Sequence, residues 1–325
     1  MYKIAEDYIG GSSIESSKEE FSKLEQAKVH LDLLWKLEIN FSIFAKAYLE
    51  FEKCLDDINL KSEFEDGLYT NPDQVFYAAH EKINLRTVTF LVAARIYEEK
   101  ALQLNERFLK YRNIDFLVSE SHSESFDSSF EYRVIQALRN FAVHEDLPIA
   151  SISFGASNLR ENEADPRESP SRLRSTVDPK ISIDKLIESK KIRKKTKNEL
   201  SDISEEFLDL KFFIRGFVEE LTKCHFTLRE HYSEVAEGLV SKFDEVKSKL
   251  QKSVGREVRH VVAIRYYKNR KAQDVYIDPE FNKRVLNAKK RWMGLKNVQR
   301  TYLSSEVIAH KNKFPQVHDR ILIEK

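Results

Sequence analysis

Apolar residues recur at helical intervals along most of the chain. Between Glu15 and about Asp57, Leu24, Ala27, Leu31, Leu34 and Ile39 through Phe44 fall at helical spacings, which predicts one long helix. Asn71-Pro72 opens a second, because proline fits the first turn of a helix, where its missing N–H costs nothing. The middle of that helix, TFLVAARIY, is apolar enough to be packed on several sides. A third helix is read over 131–148. Ile135, Leu138 and Ala142 recur at i, i+3 and i+7, and Val134 and Phe141 widen the stripe. Ser128 and Glu131 have the spacing of a capping box, and Pro148 disfavours helical geometry at Leu147, so this helix should end close to His144. Over 182–250, Ile203, Phe207, Leu210, Ile214, Phe217, Leu221 and Leu228 predict the last major helix, with Gly216 a candidate break.

Two stretches alternate instead. Ile149–Phe154 and Arg172–Val177 read as short strands joined by a Pro-, Glu- and Arg-containing loop, Gly155–Pro170, which either closes over a site or decorates the surface. From Arg256, Val258, His260, Val262 and Ile264 alternate with their neighbours, Lys268–Lys271 reads as a turn, and Val275–Ile277 resumes the strand pattern. A helix over about Pro279–Gly294 follows. Residues 1–14 read as a tail broken at Gly10-Gly11, residues 58–71 as a polar connection, and residues 111–127 as a Ser-rich connection with His122 an exposed loop histidine. The expected architecture is mainly α. It is an antiparallel helical bundle over 1–250 with a flexible, hairpin-bearing insertion at 155–180, followed by a small basic α+β module over 251–325.

Composition agrees. Charged residues make up 33% of the chain against only 8 Gly and 7 Pro among 325 residues, which points to long helices and away from an all-β fold. The net charge of +1 means that any nucleic-acid contact must come from local patches. Two patches qualify. Lys190–Lys197 holds six basic residues in eight, either a solvated helix end or a phosphate-tracking surface. Arg256–Arg300 holds 13 Lys and Arg against 4 Asp and Glu, interleaved with Tyr266, Tyr267 and Trp292, as backbone neutralisation and base stacking require. A basic surface for a protein partner has the same composition. Cys54 and Cys224 stand far apart with no Cys/His cluster, so neither a disulfide framework nor a zinc site is suggested and no cofactor is expected. No apolar run approaches about 18 residues and the first residues lack a signal pattern, so a cytoplasmic protein with no membrane partner is expected.

The predicted third helix carries the candidate chemistry: Arg139, Asn140 and His144. A guanidinium stays charged and grips phosphate oxygens with a planar fork, and an imidazole exchanges protons near neutral pH. The carboxamide of Asn140 can orient either. At 100° per residue, Asn140 and His144 share a face while Arg139 and His144 lie about 140° apart. A regular helix therefore does not bring Arg139 and His144 onto one small substrate. Either the helix ends before His144, or two copies of it meet and pool their residues. In most helical proteins an Arg and a His at this spacing are surface or capping residues.

Arg139-Asn140-Phe141-Ala142-Val143-His144 resembles the R-x4-H motif of the HEPN superfamily, in which Asn, Asp or His commonly follows the arginine. The resemblance is specific over about twenty residues and diffuse over roughly 15–250. It implies a helical bundle that dimerises through its motif helices and cleaves RNA without a metal at the composite site. Arg139 and His144 would be catalytic and Asn140 supporting, in a toxin or antiviral-defence setting with a possible regulatory protein or antitoxin. The segment TFLVAARIYEEK resembles the helix that precedes the motif helix in bacterial relatives. Asn84, Arg86 and Tyr97 on it either face the motif helix, or Asn84 and Arg86 are solvated and Tyr97 packs with its hydroxyl at the rim. Two other readings stay open: a non-catalytic scaffold of this type that binds RNA or a protein partner, and a nucleotide-sensing bundle.

Overall fold

The computed structural model describes residues 1–8, 10–64, 71–109, 118–159, 172–268, 270–298 and 307–310. Most of the loop expected at 155–170, parts of the connections at 58–71 and 111–127, Asn269 in the expected turn, and most of 299–325 lie outside these. In chain order the elements are β1 (Tyr2–Glu6), β2 (Ser13–Ser16), α1 (Lys18–Phe64), α2 (Pro72–Leu109), α3 (Val118–Ser128), α4 (Phe130–His144), β3 (Ser151–Leu159) and β4 (Arg172–Ser182). Then come α5 (Ile183–Glu188), α6 (Lys194–Ser201), β5 (Phe207–Asp209), α7 (Leu210–Val254), β6 (Val261–Tyr267), β7 (Arg270–Ile277), α8 (Pro279–Ala288), a 3-10 turn (Met293–Asn297) and β8 (Val307–His310). The described residues are mainly helical with two small antiparallel sheets, as the periodicity predicts. Among them no helix is long and apolar enough to cross a membrane.

The chain divides into two compact units, and α1, α2 and α7 each contribute a portion to both. The first unit comprises residues 1–43, 96–124 and 221–294. Its sheet has the order β2-β1-β6-β7, with Tyr2 opposite Arg265 and Ile4 opposite Ala263. The expected N-terminal tail is therefore a strand, and the hairpin expected after Arg256 shares a sheet with it, so the units divide elsewhere than at residue 250. Ile4, Val261, Ala263, Val275 and Ile277 are buried on one face of this sheet. At the end of that face Tyr2 meets Phe21 of α1, ring centroids 5.4 Å apart. Asp278 caps α8 through the amides of Glu280 and Phe281 with Pro279 in the first turn, as the sequence predicts for a helix start there.

A polar constellation lies inside this unit. Tyr97, 1% exposed, hydrogen-bonds through its hydroxyl to Nδ1 of His225 at 2.8 Å, and Nε2 of the same ring lies 3.6 Å from the Glu38 carboxylate. Tyr97 is thus buried, not at a rim. Phe41 stacks on the His225 ring at 3.7 Å. Arg229 grips the Glu38 carboxylate through Nε and Nη2 and donates to the carbonyls of Ala288, Lys289 and Arg291, capping the end of α8. Burial pushes His225 down to about 4, against the pull of Glu38. Burial alone would raise Glu38, but the neighbouring His225 ring and the fork from Arg229 outweigh it and hold it at about 2. His122, expected in an exposed loop, is a half-buried residue of α3 whose ionisation burial disfavours.

The second unit comprises residues 44–95, 125–220 and 295–325. Phe44, Phe90 and Phe217 meet in its core at centroid distances of 5.7–6.4 Å. The predicted hairpin is β3–β4, with β5 and β8 also pairing to β4. Residues 155–159 and 172–180, expected within a flexible insertion, are strand. A Cβ on Gly155 would stand 2.6 Å from Thr176 Oγ1, so glycine is what lets the two strands approach there. Asn59, fully buried on α1, donates to the Ser175 carbonyl and accepts from the Ser175 hydroxyl, both at 2.9 Å. Phe207 belongs to β5, not to the long helix that the spacing assigns it to, and Ile203 precedes that strand. The helix starts at Leu210 and runs through Gly216 without a break.

Candidate functional site

The motif helix α4 lies within the second unit and is fixed at both ends. Its N-cap is Ser129, not Ser128: the Ser129 hydroxyl accepts the Tyr132 amide at 3.0 Å and donates to Glu131 at 2.9 Å. Val134, Ile135, Leu138 and Phe141 are buried, as the apolar stripe predicts. Tyr132 packs on Phe217 at 4.8 Å and Phe130 edge-on to Phe213 at 5.6 Å.

A buried cation anchors the same helix. Arg133, 6% exposed, donates through Nε and Nη2 to the two carboxylate oxygens of Glu199 on α6, both at 2.8 Å. Its Nη1 donates to the carbonyls of Phe126 and Asp127 at 2.7 and 2.9 Å. This fork satisfies the end of α3 and ties α4 to α6. The sequence offers no local signal for it, since the carboxylate stands 66 positions away.

The helix stays regular through His144 and is closed by Glu145, whose amide, with that of Asp146, reaches the Phe141 carbonyl at 2.9 and 3.3 Å. Of the two arrangements open from the sequence, a helix that stops before His144 is thereby removed. Arg139 and Asn140 are half-buried, and Arg139 Nη2 donates to Asn140 Oδ1 at 3.2 Å. His144 is exposed, about 7.5 Å further along the axis and about 140° round from Arg139. So in one chain Arg139 meets Asn140, while Asn140 and His144 stand one turn apart on the same face. Val143 and Leu147 beside it are 63% and 52% exposed.

Beyond His144 the chain is stitched down. Ser189 donates to the Glu145 carboxylate, and Lys185 pairs with Asp146 at 2.8 Å. That bond, with the Leu147 amide, holds the Asp146 carboxyl below its usual range. Ile149 bonds to α2 at both backbone groups: its amide donates to Asn84 Oδ1 at 3.2 Å, and its carbonyl accepts from His80 Nε2 at 3.1 Å. Asn84 is 4% exposed, so it braces the segment after the motif and is not solvated. His80 belongs to the same brace, and no motif spacing identifies it.

The basic run lies along this helix. One end follows Ser189, bonded to Glu145, and the other leads to Glu199, bonded to Arg133. Within it Lys195 pairs with Asp127 and Arg193 lies 4.5 Å over the Phe126 ring. Lys190, Lys191 and Lys194 are exposed, with no carboxylate partner among the described residues. Ile192 and Thr196 are buried, which fixes the backbone that carries these cations. The geometry is a helix end presenting an exposed imidazole, with a backbone-anchored run of exposed lysines bonded to the same helix at both ends. No group of three or more His, Cys, Asp or Glu side chains converges among the described residues.

Comparison with protein-family models, with curated proteins and with solved structures finds no match.

Proposed function

We propose that the chain is an endoribonuclease of HEPN type that works as a homodimer, with one composite site formed where two α4 helices meet. The observation that carries this reading is the unbroken helix through His144. It sets Arg139 and His144 about 140° apart around one helix, which favours a site that draws on two chains. The exposed Val143 and Leu147 supply apolar surface at the expected seam.

In this reading His144 of one chain takes the proton of a ribose 2′-hydroxyl, and the oxygen attacks the adjacent phosphorus. The bond to the 5′-oxygen breaks, and that oxygen takes a proton from the second chain's His144 in its imidazolium form. The products are a 2′,3′-cyclic phosphate and a 5′-hydroxyl. Arg139 holds the non-bridging oxygens, where charge accumulates, and Asn140 fixes the guanidinium through the bond already present in one chain. Acid–base transfer of this kind contributes about 10²–10⁴ in rate, and each preorganised charge contact about 10²–10³. These groups suffice for the step without a metal. Lys190, Lys191 and Lys194 give the RNA backbone a path along the helix. A role in a toxin or antiviral-defence system, with a regulatory partner, follows from the motif resemblance.

The test is cleavage of labelled RNA by the purified chain and by His144→Ala and Arg139→Ala. Loss of at least a hundredfold in each supports the site, and wild-type rates in either remove it. A second reading is a scaffold that binds RNA or a protein without cutting. It is favoured by one observation: among the described residues nothing hydrogen-bonds to the His144 ring to orient it. It predicts RNA binding with no cleavage by any variant.

A further inference from the structure

We propose that the tip of the β6–β7 hairpin, in the first unit, is a single-stranded RNA-binding surface. Tyr267 stacks on a base, and Arg265, Lys268 and Arg270 neutralise the flanking phosphates. The choice of RNA rests on the cleavage reading, while the surface itself rests on the following geometry.

Register divides the tip into two faces. Arg265 stands opposite Gln273, Tyr266 opposite Lys271 and Tyr267 opposite Arg270, with an irregularity between Arg265 and Tyr266. Directly opposed residues share a face, and neighbours along a strand alternate. One face therefore carries Arg265, Tyr267 and Arg270. The other carries Tyr266, Lys271 and Tyr276, the Lys271 ammonium lying 5.8 Å over the Tyr276 ring.

Charge separates the two faces. On the second, Lys271 is already neutralised by Asp274 at 2.5 Å. On the first, neither Arg265 nor Arg270 has a carboxylate partner among the described residues, and neither has Lys268 at the turn. Some exposed lysines of this unit are paired, as Lys23 with Glu19, Lys249 with Glu20 and Lys289 with Glu237, whereas the three cations of the tip stand together, unpaired among the described residues, beside an open ring. The tip is thus an uncompensated cationic spot.

The ring beside it is open. Tyr267 is 63% exposed, more than Tyr276 at 47%, and the Lys268 ammonium lies 5.6 Å over it. Lys268 holds φ at +47°, a conformation that glycine or asparagine adopts at less cost. The fold has no need of a lysine there, nor of an exposed tyrosine. A cation held over an exposed ring matches a ligand that presents a flat base and a phosphate at every step. An acidic protein segment would use the cations and leave the ring idle.

The experiment is fluorescence anisotropy of the full chain with a labelled 2′-O-methyl oligoribonucleotide, which lacks the hydroxyl needed for cleavage. Tyr267→Ala should weaken binding about tenfold, and Tyr267→Phe, which keeps the face of the ring, should bind as the parent. The triple change Arg265→Gln, Lys268→Gln and Arg270→Gln should lower the slope of log affinity against log salt by about 2, at roughly 0.7 per neutralised contact to a single strand. Tyr276→Ala, on the compensated face, should stay within about twofold. Parent-like binding by both Tyr267→Ala and the triple variant overturns the proposal, as does an equal loss in Tyr276→Ala. An acidic peptide that binds as tightly as the oligonucleotide and is lost with Tyr267→Ala also overturns it, in favour of a protein partner. The probe cannot be cut, so this outcome is independent of His144: a chain that binds through the tip yet cleaves nothing removes the cleavage reading alone.

Discussion

Asn84 accepts the backbone amide of Ile149 at 3.2 Å across 65 positions of sequence, so α2 holds the segment that follows His144. Ile149 is 3% exposed, so this bond is buried. Asn84→Ala should cost about 1–3 kcal/mol in urea unfolding, the penalty for a buried donor left unmatched. Asn84→Asp keeps an acceptor in place and should cost less.

The Arg133–Glu199 fork gives a contrast between breaking a buried pair and replacing it. Glu199→Ala leaves a buried guanidinium uncompensated and should destabilise by about 3–5 kcal/mol. The double change Arg133→Met with Glu199→Leu removes both charges and should cost less than Glu199→Ala alone. Equal or additive losses in chemical denaturation would show that the fork is not what fixes α4.

Cap register is checked by two neighbouring serines. Ser129→Ala should lose about 1 kcal/mol, and Ser128→Ala should lose no cap bond. A reversed order in thermal melts would return the cap to Ser128.

Acid sensitivity follows from His225 and Glu38. His225 titrates near 4 when folded against an ordinary 6.5, so below 6.5 the unfolded chain binds the extra proton. Stability is therefore complete above about pH 6.5 and falls as pH drops towards 4, by roughly 3 kcal/mol. Glu38, lowered from 4.5 to about 2, adds stability that is present above 4.5 and is lost as pH falls through 2. His225→Phe preserves a ring against Phe41 and removes the titrating nitrogen. Urea midpoints of this variant should be lower throughout but nearly level between pH 6.5 and 5, where the parent declines.

The composite site makes a mixing prediction. Arg139→Ala and His144→Ala chains, each inactive alone, should recover part of the RNA cleavage when unfolded together and refolded, because a mixed dimer holds one intact arginine and one intact histidine as base, with water in place of the second histidine as the acid. No recovery, with mixed dimers demonstrated by native mass spectrometry, would show that one arginine and one histidine from opposite chains do not make a site.

The long helices are legible because their apolar residues repeat over many turns, as Leu24 to Phe44 do, and Pro72 marks a start with local chemistry. The strand Tyr2–Glu6 is not legible because five residues carry too few alternations to stand out from a tail, and of its two partners only the four-residue Ser13–Ser16 is near, the longer one lying far off at Val261–Arg265. Phe207 was assigned to a helix because it stands three residues before Leu210, on the period of the helix that begins there. The motif trio could be found from residue types at close spacing. What fixes the motif helix could not: Arg133 with Glu199 and Asn84 with Ile149 are pairings across more than sixty positions, with no periodic signature in either segment.

The pairing of Tyr2 with Arg265 also sets an order of events during synthesis. The β1–β2 hairpin leaves the ribosome early but keeps one edge open until β6 has emerged. Until then the N–H and C=O groups of Tyr2–Glu6 on that edge have no partner, and they are available to any other extended chain nearby. A product that stops before Val261 therefore carries its defect in its first strand, and no amount of correct helix formation repairs it. Closure of the β1 edge thus reports that translation has passed β6, a checkpoint written into the sheet itself.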